Sequence, residues 1–435
     1  MLSKQKILTT MLVMFTLALL AAQCGGTQVV EQAVTVEVEK VVTVEVEQEV
    51  EEIVTVEVTK AAEAAVASEG EPITIGAVFN ATGWMAAYDQ PPREGALLAV
   101  KAINEAGGVL GRPLALIELD GSTDPATVGN AALQLIEQGA DVLLAPCDFD
   151  IGGPASQAAQ AAGLVGLSTC ASSPLFGSAA LGDKQFTLSM WNNIMSAGAA
   201  EYAYNELGWR NAYVVTDTSI DYSLSLGDYF TEHFKSLGGE IVAEDTYLQG
   251  DADFSAQIQR IQGLAEPPDG LFISSYSPDL GTIIRQTRAA GIETPIMGGD
   301  AYDDTEFFAV LGPEAGNEVY FATHGWLGPE SGEDMPRFIE LYEAEYGQAP
   351  GTAFILTGWD AVNVLAQAIE AAGTTDGAAV AKAMEEMQFD LLSGSLNWAP
   401  AADGHQPQKE VAIVQLQGGE ASFLQWVFPE SFPEP

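Results

Sequence analysis

Residues 270–300 read GLFISSYSPDLGTIIRQTRAAGIETPIMGGD. An apolar run at 270–274 is followed by a helical segment at 280–290, a glycine at position 291 and a second apolar run at 295–297. Glycine directly after the last helical residue is a helix stop signal, so the stretch is one strand–helix–strand step. Its strands lack polar alternation and must be covered on both faces, the condition of a parallel sheet with helices packed on either side.

The step recurs along the chain. From residue 72, strands at 73–79, 114–119, 141–145 and 164–168 alternate with helices at 93–106, 125–138 and 154–162. After about residue 191 the alternation restarts, with helices at 197–207, 224–237 and 254–263 and strands at 212–216 and 240–245. Later helices at 335–346 and 352–372 and a strand at 410–416 complete the pattern. Two such sets predict an α/β protein of two doubly wound parallel-sheet lobes with a cleft between them. The expected division is 72–190 for the first lobe, 191–322 for the second, 323–397 for a return to the first, and 398–435 for a return to the second with a tail.

Two segments precede the folded part. Lys4 and Lys6 stand before an apolar run at 7–22, the pattern of an export signal over residues 1–23. That run of 16 residues falls just short of the ~17–25 that cross a bilayer, which makes an uncleaved anchor the second reading. Ala21-Ala22-Gln23-Cys24 resembles a bacterial lipoprotein box, with Gln23 where a smaller residue normally precedes the cysteine. The resemblance implies diacylglycerol on Cys24 and an extracytoplasmic, membrane-anchored protein. Within residues 24–71, the stretch from Val29 to about Ala67 repeats Thr-Val-Glu-Val from Thr35, Thr43 and Thr55 without turn residues, and the segment reads as an extended acidic tether.

Composition removes several function classes. Sixteen Lys plus Arg against 61 Asp plus Glu give a formal charge of −45, which repels phosphate backbones and excludes nucleic acid as a partner. His233, His324 and His405 lie far apart without metal-ligand spacing, and no phosphate loop, nucleophile elbow or dinucleotide glycine fingerprint occurs. No cofactor and no metal is expected. An oxygen-ligand cation site built from Asp148, Asp150 and Asp300 is chemically conceivable and set aside.

The segment from Tyr276 through Gly291 to Met297-Gly298-Gly299-Asp300 resembles the branched-chain amino-acid-binding proteins, the extracytoplasmic type I receptors of ABC importers. Ile75-Gly76-Ala77, residues 102–111 and Asp120-Gly121-Ser122-Thr123-Asp124-Pro125 resemble the same family, and the similarity runs from 72 to about 425. It implies two lobes joined by three crossovers and a cleft that closes on an amino acid, amide or amine. It also implies a permease partner and a monomeric state. By this resemblance Asp300 takes the ligand ammonium, Tyr222 and Tyr276 line the cleft, and Ser172, next to Cys170, holds a carboxylate with backbone N–H groups.

One segment departs from the family. Cys147-Asp148-Phe149-Asp150-Ile151-Gly152-Gly153 stands where small hydroxyl residues are usual. If Asp148 or Asp150 faces the cleft with Asp300, a cation or a donor-rich neutral molecule is favoured over leucine. Trp84, Phe149, Trp191, Tyr222 and Trp326 would then offer aromatic faces. If both acids cap the following helix, backbone N–H groups still serve a carboxylate. Cys147 and Cys170 end two first-lobe strands. Neighbouring strands lie ~4.8 Å apart and a disulfide spans Cα separations of ~4.4–6.8 Å, so a bridge is allowed, with buried free thiols as the alternative. A ligand-sensing receptor domain of the same fold and an extracellular enzyme are the competing functional readings.

Overall fold

Seven largely buried residues, Ile73–Phe79, form β1, an inner strand of the first sheet. The computed structural model describes residues 70–435; the expected export segment, Cys24 and the tether through residue 69 lie outside them. After β1 come α1 (Ala86–Glu105), β2 (Leu114–Asp120), α2 (Pro125–Glu137), β3 (Val142–Ala145), α3 (Phe149–Ala162), β4 (Gly166–Ser168), α4 (Ser178–Leu181) and β5 (Gln185–Thr187). The strands lie in the order β2-β1-β3-β4-β5, and every neighbouring pair is parallel.

The chain then builds a second sheet. Its elements are α5 (Asn192–Asn205), β6 (Asn211–Asp217), α6 (Asp221–Ser236), β7 (Glu240–Tyr247), α7 (Ser255–Gln262), β8 (Gly270–Ser274), α8 (Asp279–Ala289), β9 (Ile296–Gly298), α9 (Thr305–Ala315) and β10 (Val319–Thr323). Next follow α10 (Met335–Tyr346), α11 (Phe354–Ala372), α12 (Gly377–Glu386) and a small antiparallel sheet of β11 (Phe389–Leu391), β12 (Gly394–Trp398) and β13 (Pro407–Gln408). The hairpin β14 (Val411–Gln417) and β15 (Glu420–Val427) returns to the second sheet, whose order is β15-β14-β10-β9-β8-β6-β7. Strands β6 to β10 are parallel, and the hairpin adds antiparallel to β10.

Each sheet is apolar on both faces. On β1, Ile73, Ile75, Ala77 and Phe79 pack with α1, α11 and α12, whereas Val78 joins residues of α2 and α3 on the other side. In both sheets the strand order reverses beside the first strand, between β1 and β3 and between β6 and β8. Such switch points leave a crevice at the carboxyl ends of the strands, where open α/β sheets bind ligands.

Helices α1 and α11 cross backbone to backbone. A Cβ built on Gly358 would lie 1.7 Å from the carbonyl oxygen of Pro92, so only glycine fits. The crossing sets Tyr88 of α1 against Phe354 of α11, ring centroids 5.5 Å apart. Gly358→Ala is therefore expected to lower stability by about 3 kcal/mol, read as a fall in the urea midpoint at unchanged m value. A midpoint equal to wild type would show that the two helices do not meet there.

Several boundaries differ from the sequence-based expectation. Helix α1 starts at Ala86 rather than 93 and carries Pro91 and Pro92 inside it as its sixth and seventh residues, so each removes one i→i−4 bond, to the carbonyls of Ala87 and Tyr88. Helix α3 starts at Phe149 rather than 154, because Asp148 caps it by accepting from the N–H of Ile151 at 3.1 Å. No element was expected at α4, β5, α9, β10, α12, β11 to β13 or β15, which are formed.

Candidate functional site

The candidate site is assembled from residues just past the carboxyl ends of strands on both lobes. Tyr88 follows β1 on α1, Asp148 follows β3, and Cys170 and Ser172 follow β4. From the other lobe come Tyr222 after β6, Tyr276 after β8, and Asp300 with Ala301 after β9. Met85 and Phe354 complete the wall. The cavity between these side chains measures about 10 Å³, room for about one water molecule. Anything larger must part the lobes to enter.

Asp300 anchors the second-lobe side. It is 3 % exposed, and its Oδ1 accepts from the Tyr222 hydroxyl at 2.6 Å. Gly299 makes that contact possible, since a Cβ there would lie 2.7 Å from the same hydroxyl. On its other side, Asp300 Oδ2 lies 2.7 Å from Nε2 of His324, a wholly buried ring directly after β10. That contact falls outside well-formed hydrogen-bond geometry.

Asp148 anchors the first-lobe side. One carboxyl oxygen caps α3 and the other accepts from the Tyr276 hydroxyl of the opposite lobe at 3.3 Å. Burial, with Asp150 nearby, pushes its pKa up to about 7. The backbone N–H of Cys147 donates to buried Asp89 at 2.8 Å. The Tyr88 hydroxyl donates to the Ala301 carbonyl at 3.2 Å and accepts from the Ser277 N–H at 3.0 Å. Burial and the surrounding acids push the hydroxyls of Tyr88, Tyr222 and Tyr276 up, so all three remain proton donors. Their rings meet at centroid distances of 5.2 Å for Tyr88 with Tyr276 and 4.6 Å for Tyr222 with Tyr276.

The sequence-selected residues divide accordingly. Asp300, Tyr222, Tyr276, Ser172, Cys170 and Asp148 come together around the cavity. Trp84 stands behind it, edge-on to Tyr276 at 5.4 Å. Asp150 is exposed at the rim, where its carboxylate accepts from the N–H of Asp221 at the start of α6 at 2.8 Å. Ser173 donates to the Asp221 carboxylate in the same rim contact. Phe149 packs on Gly153 in the first lobe. Trp191 is buried against Gly177 and Gly404, and Trp326 lies by Phe423 with its N–H on Glu330. Neither ring lines the cavity. Asp148 thus both caps its helix and faces the cleft, while Asp150 does neither of the two things weighed for it.

Cys147 and Cys170 are disulfide-bonded with Cα atoms 4.8 Å apart, two residues beyond the paired Ala145 and Ser168 of β3 and β4. The bridge forms the floor of the cavity. Asp89 lies beside both sulfurs, but the bonded sulfurs are not thiolate ligands and its carboxylate is occupied by Asn80 and Cys147. Sequence reasoning missed Tyr88, Met85, Phe354, Ala301 and His324. The signal for His324 was positional: it directly follows a strand, Val319–Thr323, that was not expected.

A periplasmic binding protein family model matches residues 72–421. The chain belongs to that family. Family members among the curated relatives include Leu/Ile/Val-binding protein BraC3 of Rhizobium johnstonii, 29 % identical over 334 residues, 76 % of this chain and 88 % of the relative. Leu/Ile/Val-binding protein homolog 3 of Brucella melitensis is 26 % identical over 341 residues, 78 % of this chain and 90 % of the relative. The branched-chain amino acid substrate-binding protein LivJ of Streptococcus pneumoniae, solved in complex with isoleucine, superposes with a TM-score of 0.75 at 25 % identity, covering 82 % of this chain and 100 % of LivJ. The leucine-binding protein LivK of Thermotoga maritima gives 0.74 at 26 %, over 82 % and 99 % of the two chains. As a periplasmic binding protein this chain binds a solute and is not an enzyme. Among the described residues no helix is long and apolar enough to cross a membrane.

Proposed function

We propose that this periplasmic binding protein captures a small molecule that offers a positively charged or donor-rich nitrogen and has no free carboxylate, and passes it to an ABC importer. The observation that carries the reading is Asp148, a carboxylic acid facing the cavity across from Asp300. The Cys147 N–H beside it is already taken by Asp89, so the first-lobe wall offers acid where a carboxylate ligand would need donors. Two acids within a cage of three tyrosines and Phe354 suit a cation by charge and by ring faces. The lobes are read as opening and closing about the crossovers, since Tyr88, Asp148 and Asp150 all contact the opposite lobe. Acylation at Cys24, the acidic tether, an extracytoplasmic location, a monomeric state and a membrane permease partner belong to the same reading.

A second reading, an aliphatic amino acid, is favoured by the Ser172 hydroxyl in the cavity and by the names of the relatives. Calorimetry with isoleucine and with 2-methylbutylamine, the same skeleton without the carboxylate, separates the two. The amine is expected to bind at least tenfold more tightly at pH 8, where Asp148 is ionised, and its advantage to shrink as the pH falls through about 7. Tighter binding of isoleucine at pH 8 would overturn the proposal in favour of the second reading.

A further inference from the structure

Helix α6 of the second lobe begins on a residue that cannot cap it. Ile220, directly before the helix, has no side-chain oxygen and makes no cap, and an uncapped start leaves backbone N–H groups without acceptors. The acceptor comes from the opposite lobe. Asp150, in the first turn of α3, takes the N–H of Asp221 at 2.8 Å. Among the described residues no other side chain accepts from the N–H groups of Asp221, Tyr222 or Ser223.

The contact runs both ways. Asp221 turns its carboxylate back to accept from the Ser173 hydroxyl of the first lobe. Helices α3 and α6 thus meet N-terminus to N-terminus, two positive macrodipole ends with Asp148, Asp150 and Asp221 supplying negative charge beside them. The two rim acids also repel each other: burial, with the Asp150 charge nearby, pushes the Asp221 carboxyl up. The turn so capped carries part of the site. Tyr222, the next residue, lines the cavity and donates to Asp300, and Asn192 at the start of α5 donates to the Tyr222 carbonyl at 3.0 Å.

We propose that Asp150 is a helix cap supplied in trans, a latch that completes α6 only when the lobes close and so lengthens the stay of a ligand in the cavity. It lies outside the cavity wall and is a positioning residue, acting through Asp221 on the turn that bears Tyr222. The inference rests on the reading that the lobes open and close. Closing caps the helix and brings two like charges together, so the latch is held by an oxygen acceptor and weakened by its own charge. An amide oxygen at position 150 caps as well as a carboxylate does, whereas a methyl group caps nothing. Were Asp150 only a negative charge at the mouth of the cleft, its Asn and Ala variants would behave alike.

Stopped-flow fluorescence of the full chain with 2-methylbutylamine and with isoleucine separates association from release. For whichever compound binds, Asp150→Ala should release it about fivefold faster than wild type, the scale of one lost cap. Its association rate should stay within about twofold, because the latch forms after encounter. Asp150→Asn should release the ligand no faster than wild type. Equally fast release by the Asn and Ala variants, or unchanged release by Asp150→Ala, would overturn the latch. Small-angle scattering of wild type with the same compounds tells the two levels apart. Contraction on binding with unchanged release in Asp150→Ala defeats the latch alone, whereas binding without contraction defeats the reading that the lobes close. Hydrogen exchange at the Asp221 amide gives a readout without added ligand. Faster exchange in Asp150→Ala than in wild type and Asp150→Asn supports the cap, and equal exchange in all three overturns it even if neither compound binds.

Discussion

Asp300→Ala is expected to abolish measurable binding of 2-methylbutylamine and of isoleucine, a loss of at least a hundredfold. The substitution takes away the acid that faces the cavity and leaves the Tyr222 hydroxyl and His324 without their shared partner. Removing one member of a buried, hydrogen-bonded charge pair costs about 2–5 kcal/mol of binding, much of it from the charge left behind. Folding should suffer too, by about 1–3 kcal/mol, because the buried Tyr222 hydroxyl would lose its acceptor. Asp300→Asn keeps the shape and the acceptor for Tyr222 but removes the charge, so it should fold better than Asp300→Ala and still bind the amine poorly. Calorimetry with urea denaturation of both variants makes the check. Binding within threefold of wild type in Asp300→Ala would show that this carboxylate is not the ligand contact.

The second large effect concerns pH. Asp89, Asp148 and Asp303 are fully buried, and desolvation, the leading cause in each case, pushes all three from 3.8 up to about 7. The folded protein therefore keeps protons that the unfolded chain gives up between about pH 4 and 7. Where the native state binds more protons, stability falls as pH rises, by about 1.4 kcal/mol per pH unit for each such group inside the window. The stabilisation is complete below about pH 4 and is lost as pH climbs through about 7. Self-repulsion from a formal charge of −45 acts in the same direction. The unfolding free energy should thus be several kcal/mol larger at pH 5 than at pH 8, on the order of the single-group slope multiplied over the window. Asp148→Asn should flatten part of that slope and raise stability at pH 8. Urea midpoints at the two pH values decide the matter, and a protein more stable at pH 8 than at pH 5 would contradict this account of the buried acids.

Much of the fold was legible because its cause is local. Uniformly apolar strands such as Gly270–Ser274, each followed by a helix with a glycine stop, state a parallel sheet covered on both faces. What was illegible depended on partners far away in the chain. The start of α1 was hidden because Pro91-Pro92 reads as a break, whereas packing against Gly358 holds the helix together across it. The short strands β11 to β13 find one another only after the chain has returned to the first lobe.

The site follows the same division. Asp300, Tyr222, Tyr276 and Ser172 were found through motifs anchored at strand ends, and they do share one cavity. Trp326 was chosen for its ring alone, and no local pattern tells a cleft aromatic from one that packs on Phe423. Tyr88 was missed because it lies in the helix turn ahead of the proline pair. His324 was counted only as a histidine lacking metal-ligand neighbours; its partner, Asp300, is 24 residues upstream and reaches it because β9 and β10 are adjacent. The two roles of Asp148, helix cap and cavity wall, were weighed as alternatives, yet a carboxylate has two oxygens and here each takes one.

The central claim is that the two lobes hold their ligand between Asp300 and Asp148. A crystal structure of the protein grown with 2-methylbutylamine tests it most directly. The account predicts density in the cleft, with the nitrogen within hydrogen-bond distance of Asp300 and the hydrocarbon among Tyr88, Tyr222 and Tyr276. Amine density on an outer surface, with the cleft residues untouched, would contradict it.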